Sequence, residues 1–322
     1  MRKILSIFLV VLPLLSMAQF APSAGQEGTT AMHADSSAFV AWATGCVIER
    51  GPQSVDSLEL GVTTFGDESM ALGRPGGVMD VVSLGDGGIA VLTFDSPICN
   101  EEGPDFAVFE NAFHNTPHCF LELAFVEVSS DGVNFFRFPA VTHVQTEIQL
   151  ENGSVMDASL IHNFAGKYEA LYGTPFDLDD LEDDALLDKN KVSHVRLVDV
   201  VGSLDPRYAT YDSEGHIVND PWPTPFWSSG FDLDAVGVIH DVAHHDVSDH
   251  HATTLLVYPN PVHEVLSVAS EEVLSMTVFS LSGQQMLCSD QNHINVSMLP
   301  DGVYLVRVMT TGTTVVDKFI KQ

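Results

Sequence analysis

Basic residues are scarce in this sequence. Lys and Arg number 13 against 44 Asp and Glu in 322 residues, giving a formal charge of −31 with His neutral. A surface of that sign repels a phosphate backbone at every range beyond contact, which excludes nucleic-acid binding by phosphate neutralisation. Cysteine is also sparse, at four, and the absence of a close Cys-x-x-Cys pair with matching partners argues against a thiolate zinc centre. Long apolar runs are missing as well. The longest, residues 4–15, falls short of the roughly 20 residues a bilayer span requires, so no transmembrane segment is expected in the mature protein. What is present is a hydrophobic share of 45% against 18% charged residues, enough apolar surface to build a core in place of a disordered polyanion.

The N-terminus reads as an export signal. Arg2 and Lys3 precede the apolar run, and Ser16-Met17-Ala18 supplies small residues for cleavage, so residues 1–18 are expected to be removed and the mature chain to begin near Gln19. No cysteine follows that position, which disfavours a lipid anchor. In an oxidising compartment Cys99 and Cys119 either pair or stay free. A bridge would close a loop of about 20 residues, worth about 3 kcal/mol. Cys46 and Cys288 read as buried thiols.

Short Val, Ile, Leu and Phe runs with period-two alternation, set between Gly, Asp, Asn and Pro clusters, predict strands over 89–94, 106–109, 121–129, 192–201 and 231–239. Asp131-Gly132 before Asn134 predicts a hairpin. Acidic residues at the start and lysines at the end of 178–190 predict one short helix, in the charge order that suits a helix dipole. The His- and Asp-rich stretch 241–254 has little to bury and reads as a linker between a domain over 19–240 and a smaller unit over 255–322.

The smaller unit carries specific motifs. Tyr258-Pro259-Asn260-Pro261 opens it, Ser282-Gly283 and Asp301-Gly302 have the chemistry of tight turns, Gly302-Val303-Tyr304 starts a strand, and Lys318-Phe319-Ile320-Lys321 closes it. Pro259 and Pro261 withhold backbone donors, as suits a lead-in or edge segment. In this order the motifs resemble the type A C-terminal sorting domain of the type IX secretion system of Bacteroidota. The resemblance implies a small immunoglobulin-like β-sandwich recognised by the type IX secretion machinery. It further implies passage across the outer membrane, removal of the domain, and attachment of the remainder to surface lipopolysaccharide or its release.

In the larger domain, Ser83-Leu84-Gly85-Asp86-Gly87-Gly88, the run from Gly103 to Asn111, the run from Phe125 to Gly132 and Gly230-Phe231-Asp232-Leu233-Asp234-Ala235-Val236 resemble the galactose-binding-like jelly-roll domains of secreted bacterial surface proteins. That resemblance implies an all-β sandwich that binds glycan or serves as an accessory module, and fold alone does not fix function.

Acidic groups recur at predicted strand ends: Asp105, Glu110 and Asn111 around one strand, Asp199 at another, and Asp232 with Asp234 two apart and hence on one face. An oxygen-only set of this kind predicts a Ca²⁺ site. The plainer reading is that they form Asx turns or pair with Arg74, Arg196 or Arg207. Asp177, Asp179, Asp180, Asp183 and Asp184 read as an exposed helical face. The stiff loop Pro221-Trp222-Pro223-Thr224-Pro225-Phe226-Trp227 offers Trp222 and Trp227, with Tyr208 and Tyr211, as an aromatic platform for a sugar, or as a cap on the core.

Catalytic signals are thin. Asp105 and Glu110 fall on opposite faces of a strand, Pro117 breaks the spacing of His114, His118 and Glu122, and neither a Gly-x-Ser-x-Gly elbow nor a His-Glu-x-x-His motif is present. The linker histidines would take up Zn²⁺ or Ni²⁺ only weakly. The sequence therefore favours an exported, surface-delivered, calcium-stabilised glycan-binding protein. The alternatives are a secreted hydrolase with an unrecognised acidic site, favoured by a cleft with two facing carboxylates, and a structural envelope component, favoured by buried tryptophans.

Overall fold

The structure is a computed structural model. It describes residues 20–115, 118–245, 257–268, 273–281, 283–310 and 314–322, leaving aside the side chains of 114, 115, 245, 314 and 315. The expected signal peptide, most of the expected linker and Ser282 lie outside the described residues. No helix among the described residues is long and apolar enough to cross a membrane. The chain divides into two compact units, 1–246 and 247–322, and both are built from antiparallel strands.

The first unit contains β1 (Met32–His33), β2 (Ala41–Trp42), β3 (Gly45–Glu49), β4 (Val82–Ser83), β5 (Ile89–Ile98), β6 (Phe106–Glu110), β7 (Phe113–Asn115), β8 (His118–Phe120), β9 (Ala124–Ser129), β10 (Phe136–Arg137), β11 (Val141–Thr142), β12 (Ile161–His162), β13 (Tyr172–Phe176), β14 (Val192–Asp199) and β15 (Asp232–Val238). One sheet runs β1-β13-β6-β15-β2, with β4 also pairing β15; the other runs β10-β9-β14-β5-β3. Alternation along the strands fills the space between them. Leu92, Val126, Val128, Val195 and Leu197 come from one sheet, and Phe106, Val108, Leu233, Val236 and Val238 from the other, all buried in one cluster. Phe106, Phe138 and Phe176 meet at its centre with ring centroids 5.1–5.9 Å apart. Each buried ring contributes about 1.5–3 kcal/mol.

The same alternation sends Phe109 and Ala235 to the opposite face of the first sheet, where Phe39 and Trp42 cover them. On the outer face of the second sheet Glu127 is nearly buried between two arginines. Arg137 Nε donates to one oxygen at 2.8 Å, and Arg196 pairs with the other. The guanidinium of Arg137 also lies 4.1 Å from the Phe125 ring centroid, and that of Arg196 3.8 Å from Phe135.

The hairpin at Asp131-Gly132 forms, with Phe136 opposite Val128. Asp131 accepts from the amides of Val133 and Asn134 at 2.8 Å each, which holds its carboxyl well below the usual range.

Two expectations need correction. The helix over 178–190 is absent. Two 3₁₀ turns, Leu178–Asp180 and Lys189–Lys191, stand in its place. Asp177 and Asp188 each accept the amide two residues on, capturing donors that a helix would need, while Leu178, Leu181 and Leu187 are drawn into the core. Cys288 is exposed, because Leu287 beside it packs inward and period two turns the thiol out. A bulge falls between Leu233 and Ala235, with Asp232 bonded to Asn111 and Asp234 to the amides of Gly76 and Gly77. Cys99 and Cys119 are both buried, and each thiol is pushed up to about 11, first by burial.

A four-residue helix, Val242–His245, follows β15. Asp241 is buried before it and bridges to Ile98, so the first residues of the expected linker pack on the first unit.

The second unit contains β16 (Val257–Tyr258), β17 (Val265–Val268), β18 (Val273–Ser280), β19 (Gln285–Ser289), β20 (His293–Asn295), β21 (Gly302–Thr310) and β22 (Thr314–Lys321), in sheets ordered β16-β17-β20 and β19-β18-β21-β22. Leu266, Met276, Val278, Val306 and Phe319 fill its core. Tyr304 stacks on Phe319 and donates its hydroxyl to the Pro300 carbonyl at 2.9 Å. Asp301-Gly302 leads into β21 without closing a hairpin, because β20 and β21 belong to different sheets.

The Pro-Asn-Pro motif has a mechanical role. With no amide on either proline, the Asn260 side chain takes over the pairing: Oδ1 accepts from Ile320 N at 2.9 Å, and Nδ2 donates to Lys318 O at 3.1 Å. Val262 N then donates to Ile320 O at 2.8 Å and continues the contact. Asn260→Ala is expected to destabilise this unit by about 1 kcal/mol and to speed amide exchange at Ile320. Unchanged protection of that amide would contradict the assignment.

Candidate functional site

Alternation along β6 and β14 carries more than apolar residues inward. Glu110 shares the inward phase of Phe106 and Val108, and Asp199 that of Val195 and Leu197, so both carboxylates enter the sandwich at strand ends. Asp86, Asp220, Glu122 and Asp232 join them from the connecting segments and from β15. All six are at most 8% exposed. Arg50 donates to the carbonyls of Phe65, Gly66 and Ser83. Arg196 is engaged by Glu127, Arg207 by Asp205 and Arg74 by Asp35. Among the described residues no Lys or Arg forms an ion pair with any of the six.

Backbone amides hold most of the set. Asp199 accepts from Gly87 N at 2.8 Å and Phe231 N at 2.7 Å, Asp220 from Leu123 N at 2.9 Å, and Glu110 from Ala112 N at 2.7 Å. Asp86 Oδ2 accepts from Val55 N and from the Trp222 indole, both at 2.9 Å. Two buried oxygens, Glu110 Oε1 and Asp220 Oδ1, have no partner among the described residues. Burial is the first cause pushing all of these carboxyls up. Glu110, Glu122, Asp199 and Asp220 are raised well above the usual range, with neighbouring carboxylates adding to the rise, and Asp232 reaches about 6.

Glycines permit this crowding. Gly230, at φ +70°, passes so close that a Cβ would meet Asp199 Oδ1 at 2.7 Å. Gly166, at φ +80°, would place one 1.8 Å from the Glu122 carbonyl.

Glu122 and Asp232 open onto a pocket of about 300 Å³, together with Asn111 and Asn152. Asp232 is fully engaged, accepting from Ser83 Oγ and from Asn111 Nδ2. The Glu122 side chain makes no hydrogen bond to the described residues, although it is only 8% exposed. Aromatic rings form the walls. Phe113 stacks on Phe120 at 4.9 Å, and Trp227 meets Phe65 edge to face at 4.9 Å. Trp227 and Phe226 are 57% and 47% exposed. The Trp227 carbonyl accepts from Thr63 Oγ1, Thr64 N and Phe65 N, which fixes the rim in place.

Of the expected site residues, Trp227, Asn111 and Asp232 meet at this pocket. Glu110 and Asp199 belong to the same acidic end but do not line the pocket. Trp222 is pinned to Asp86 with Tyr208 against it at 6.2 Å, and Tyr211 is exposed; none of these three lines the pocket. Asp105 lies at the other end of β6, accepting from Glu101 N and Leu178 N with His240 Nδ1 at 2.9 Å, so it ties loops together. Asp234 accepts from Gly76 N and Gly77 N, and burial pushes it up to about 6. Among the described residues, no three His, Cys, Asp or Glu converge to hold a metal ion. Sequence reasoning weighed Glu122 only with His114 and His118 and set it aside. Its signal was a carboxylate between Leu121 and Leu123, both fully buried.

A raised carboxyl binds its proton more tightly in the folded chain, so the stability it confers is full below the unfolded pKa near 4 and is lost as pH rises through the folded value. The melting temperature is therefore expected to fall between pH 5 and pH 8, with Asp232 and Asp234 titrating near 6. Asp220→Asn should raise it at pH 8 more than at pH 5. A melting temperature that climbs over this range would contradict the charge state assigned to the cluster.

Residues 256–322 match the family of secretion system C-terminal sorting domains. No curated protein matches the chain. The match marks the chain as a substrate of type IX secretion, exported to the cell surface or the extracellular space, and implies engagement with that secretion machinery.

Proposed function

We propose that the first unit is a glycan-binding module delivered outside the cell by the second. The observation that carries this reading is the pocket that sets the unpartnered Glu122 beside the exposed Trp227 ring. A sugar presents hydroxyl donors on its edge and C–H groups on its face. Glu122, Asn111 and Asn152 suit the edge, and Trp227 with Phe226 suits the face at low ordering cost. The likeness of the strand motifs to galactose-binding-like jelly-roll domains supports the same ligand class. In this reading the second unit is removed after export and the remainder is attached to surface lipopolysaccharide or released.

Calcium belongs to the proposal as charge compensation. Its support is the uncompensated acidic end and the two buried oxygens without partners. Added Ca²⁺ is expected to raise the melting temperature at pH 8 and flatten its pH dependence, and chelation to reverse both. Indifference to both treatments would remove calcium.

Hydrolysis is the second reading, favoured by two carboxylates on one pocket. Asp232 is the less suited of the two, since each of its oxygens already accepts a hydrogen bond that holds it in place. A glycan array on the exported protein tests the main reading. Trp227→Ala and Glu122→Gln are each expected to weaken the bound glycan at least tenfold, with no release of reducing ends by the unsubstituted protein. Failure to bind any glycan would overturn the proposal, and turnover abolished by Glu122→Gln would replace binding with hydrolysis.

A further inference from the structure

A second pocket of about 580 Å³ lies in the first unit, lined by residues distinct from those of the acidic pocket. Lys167 lines it while only 4% exposed, and its side chain makes no hydrogen bond or ion pair to the described residues. Its nearest aromatic partner is the Tyr168 ring, 5.4 Å away. Thr174 also lines the pocket at 4% exposure, and its hydroxyl has no partner among the described residues. A buried ammonium and a buried hydroxyl without hydrogen bonds to the described residues are each costly, beyond what the Tyr168 ring and the field of Asp157 return to the ammonium, and a ligand oxygen that meets them offsets that cost. Burial lowers Lys167 to about 8, which leaves it mostly charged at neutral pH.

The opposite sign is present on the same pocket. Asp177 and Asp180 line it, each with one oxygen already engaged, by Asp179 N at 2.9 Å and by Asn163 Nδ2 at 3.0 Å. Asp177 is raised first by burial and then by Asp180 and Asp179, a repulsion that a cation would relieve. These carboxylates disfavour a multiply charged anion such as phosphate. Phe20, Met32 and Pro104 supply apolar wall between the two kinds of charge, and the volume falls in the small-ligand range of roughly 300–1,000 Å³.

We infer that this second pocket binds a short peptide with free termini, its carboxylate on Lys167 and Thr174 and its ammonium toward Asp177 and Asp180. The dipeptide leucyl-leucine, its N-acetyl derivative and its C-terminal amide, titrated calorimetrically into the purified exported protein, test this. The free dipeptide is expected to bind, and each blocked form at least tenfold more weakly. Lys167→Met and Thr174→Val are both expected to lose at least tenfold in affinity while their ligand-free melting temperatures stay level or rise, because each removes a buried polar group that the fold itself leaves unpaired. Two variants guard against one failing to fold. No binding of the free dipeptide at millimolar concentration, equal binding of either blocked form, displacement by inorganic phosphate at equal concentration, or unchanged affinity in a folded variant would each overturn the inference.

Discussion

The first unit is organised around carboxylates withdrawn from water with no cation beside them. In most proteins a buried charge is paired or neutralised, because desolvation outweighs anything a lone ion gains. Here six acids crowd one end of a sandwich whose arginines are engaged elsewhere. The fold answers with backbone amides from Gly87, Leu123, Ala112 and Phe231, while burial raises the carboxyls above their usual range. That solution is incomplete at Glu122, whose carboxyl finds no donor among the described residues and lines the pocket instead. The pocket thus opens where the packing problem was left open.

Other acids in the chain do different work. Asp67, Asp157, Asp177 and Asp188 each cap a short 3₁₀ turn by accepting an amide two residues on, and Asp131 does the same for a hairpin. These roles are local, and none of these groups is buried as deeply as the six; Asp177 alone also lines the second pocket. A charge of −31 therefore combines turn chemistry that many loops require with a smaller, buried set gathered at one end of the sandwich. The difference between them is burial, which composition cannot display.

The second unit shows the opposite economy. Its motif residues make the contacts of a self-contained fold: Asn260 substitutes a side-chain amide for the strand edge that two prolines cannot supply, and Tyr304 closes the loop at Pro300. A module read by secretion machinery has to hold its shape whatever cargo precedes it, and these interactions lie wholly within residues 257–322.

Strand positions, the Asp131-Gly132 hairpin and the sorting motif were legible in the sequence because each depends on neighbours: period two, a turn dipeptide, or an ordered series of short motifs. The helix expected over 178–190 failed for a local reason with a tertiary trigger, as Asp177 and Asp188 captured amides while three leucines were pulled into the core. The set Trp227, Asn111 and Asp232 could be named from residue type, but Trp222 looked equivalent to Trp227 until its indole was found on Asp86. By itself the sequence determined the all-β class, the export route and a surface hostile to polyanions, since these follow from composition and local pattern. Only the tertiary structure decided which carboxylates lose water together and which stay solvated. Burial depends on residues more than a hundred positions apart, such as Glu122 and Asp232, arriving at one place.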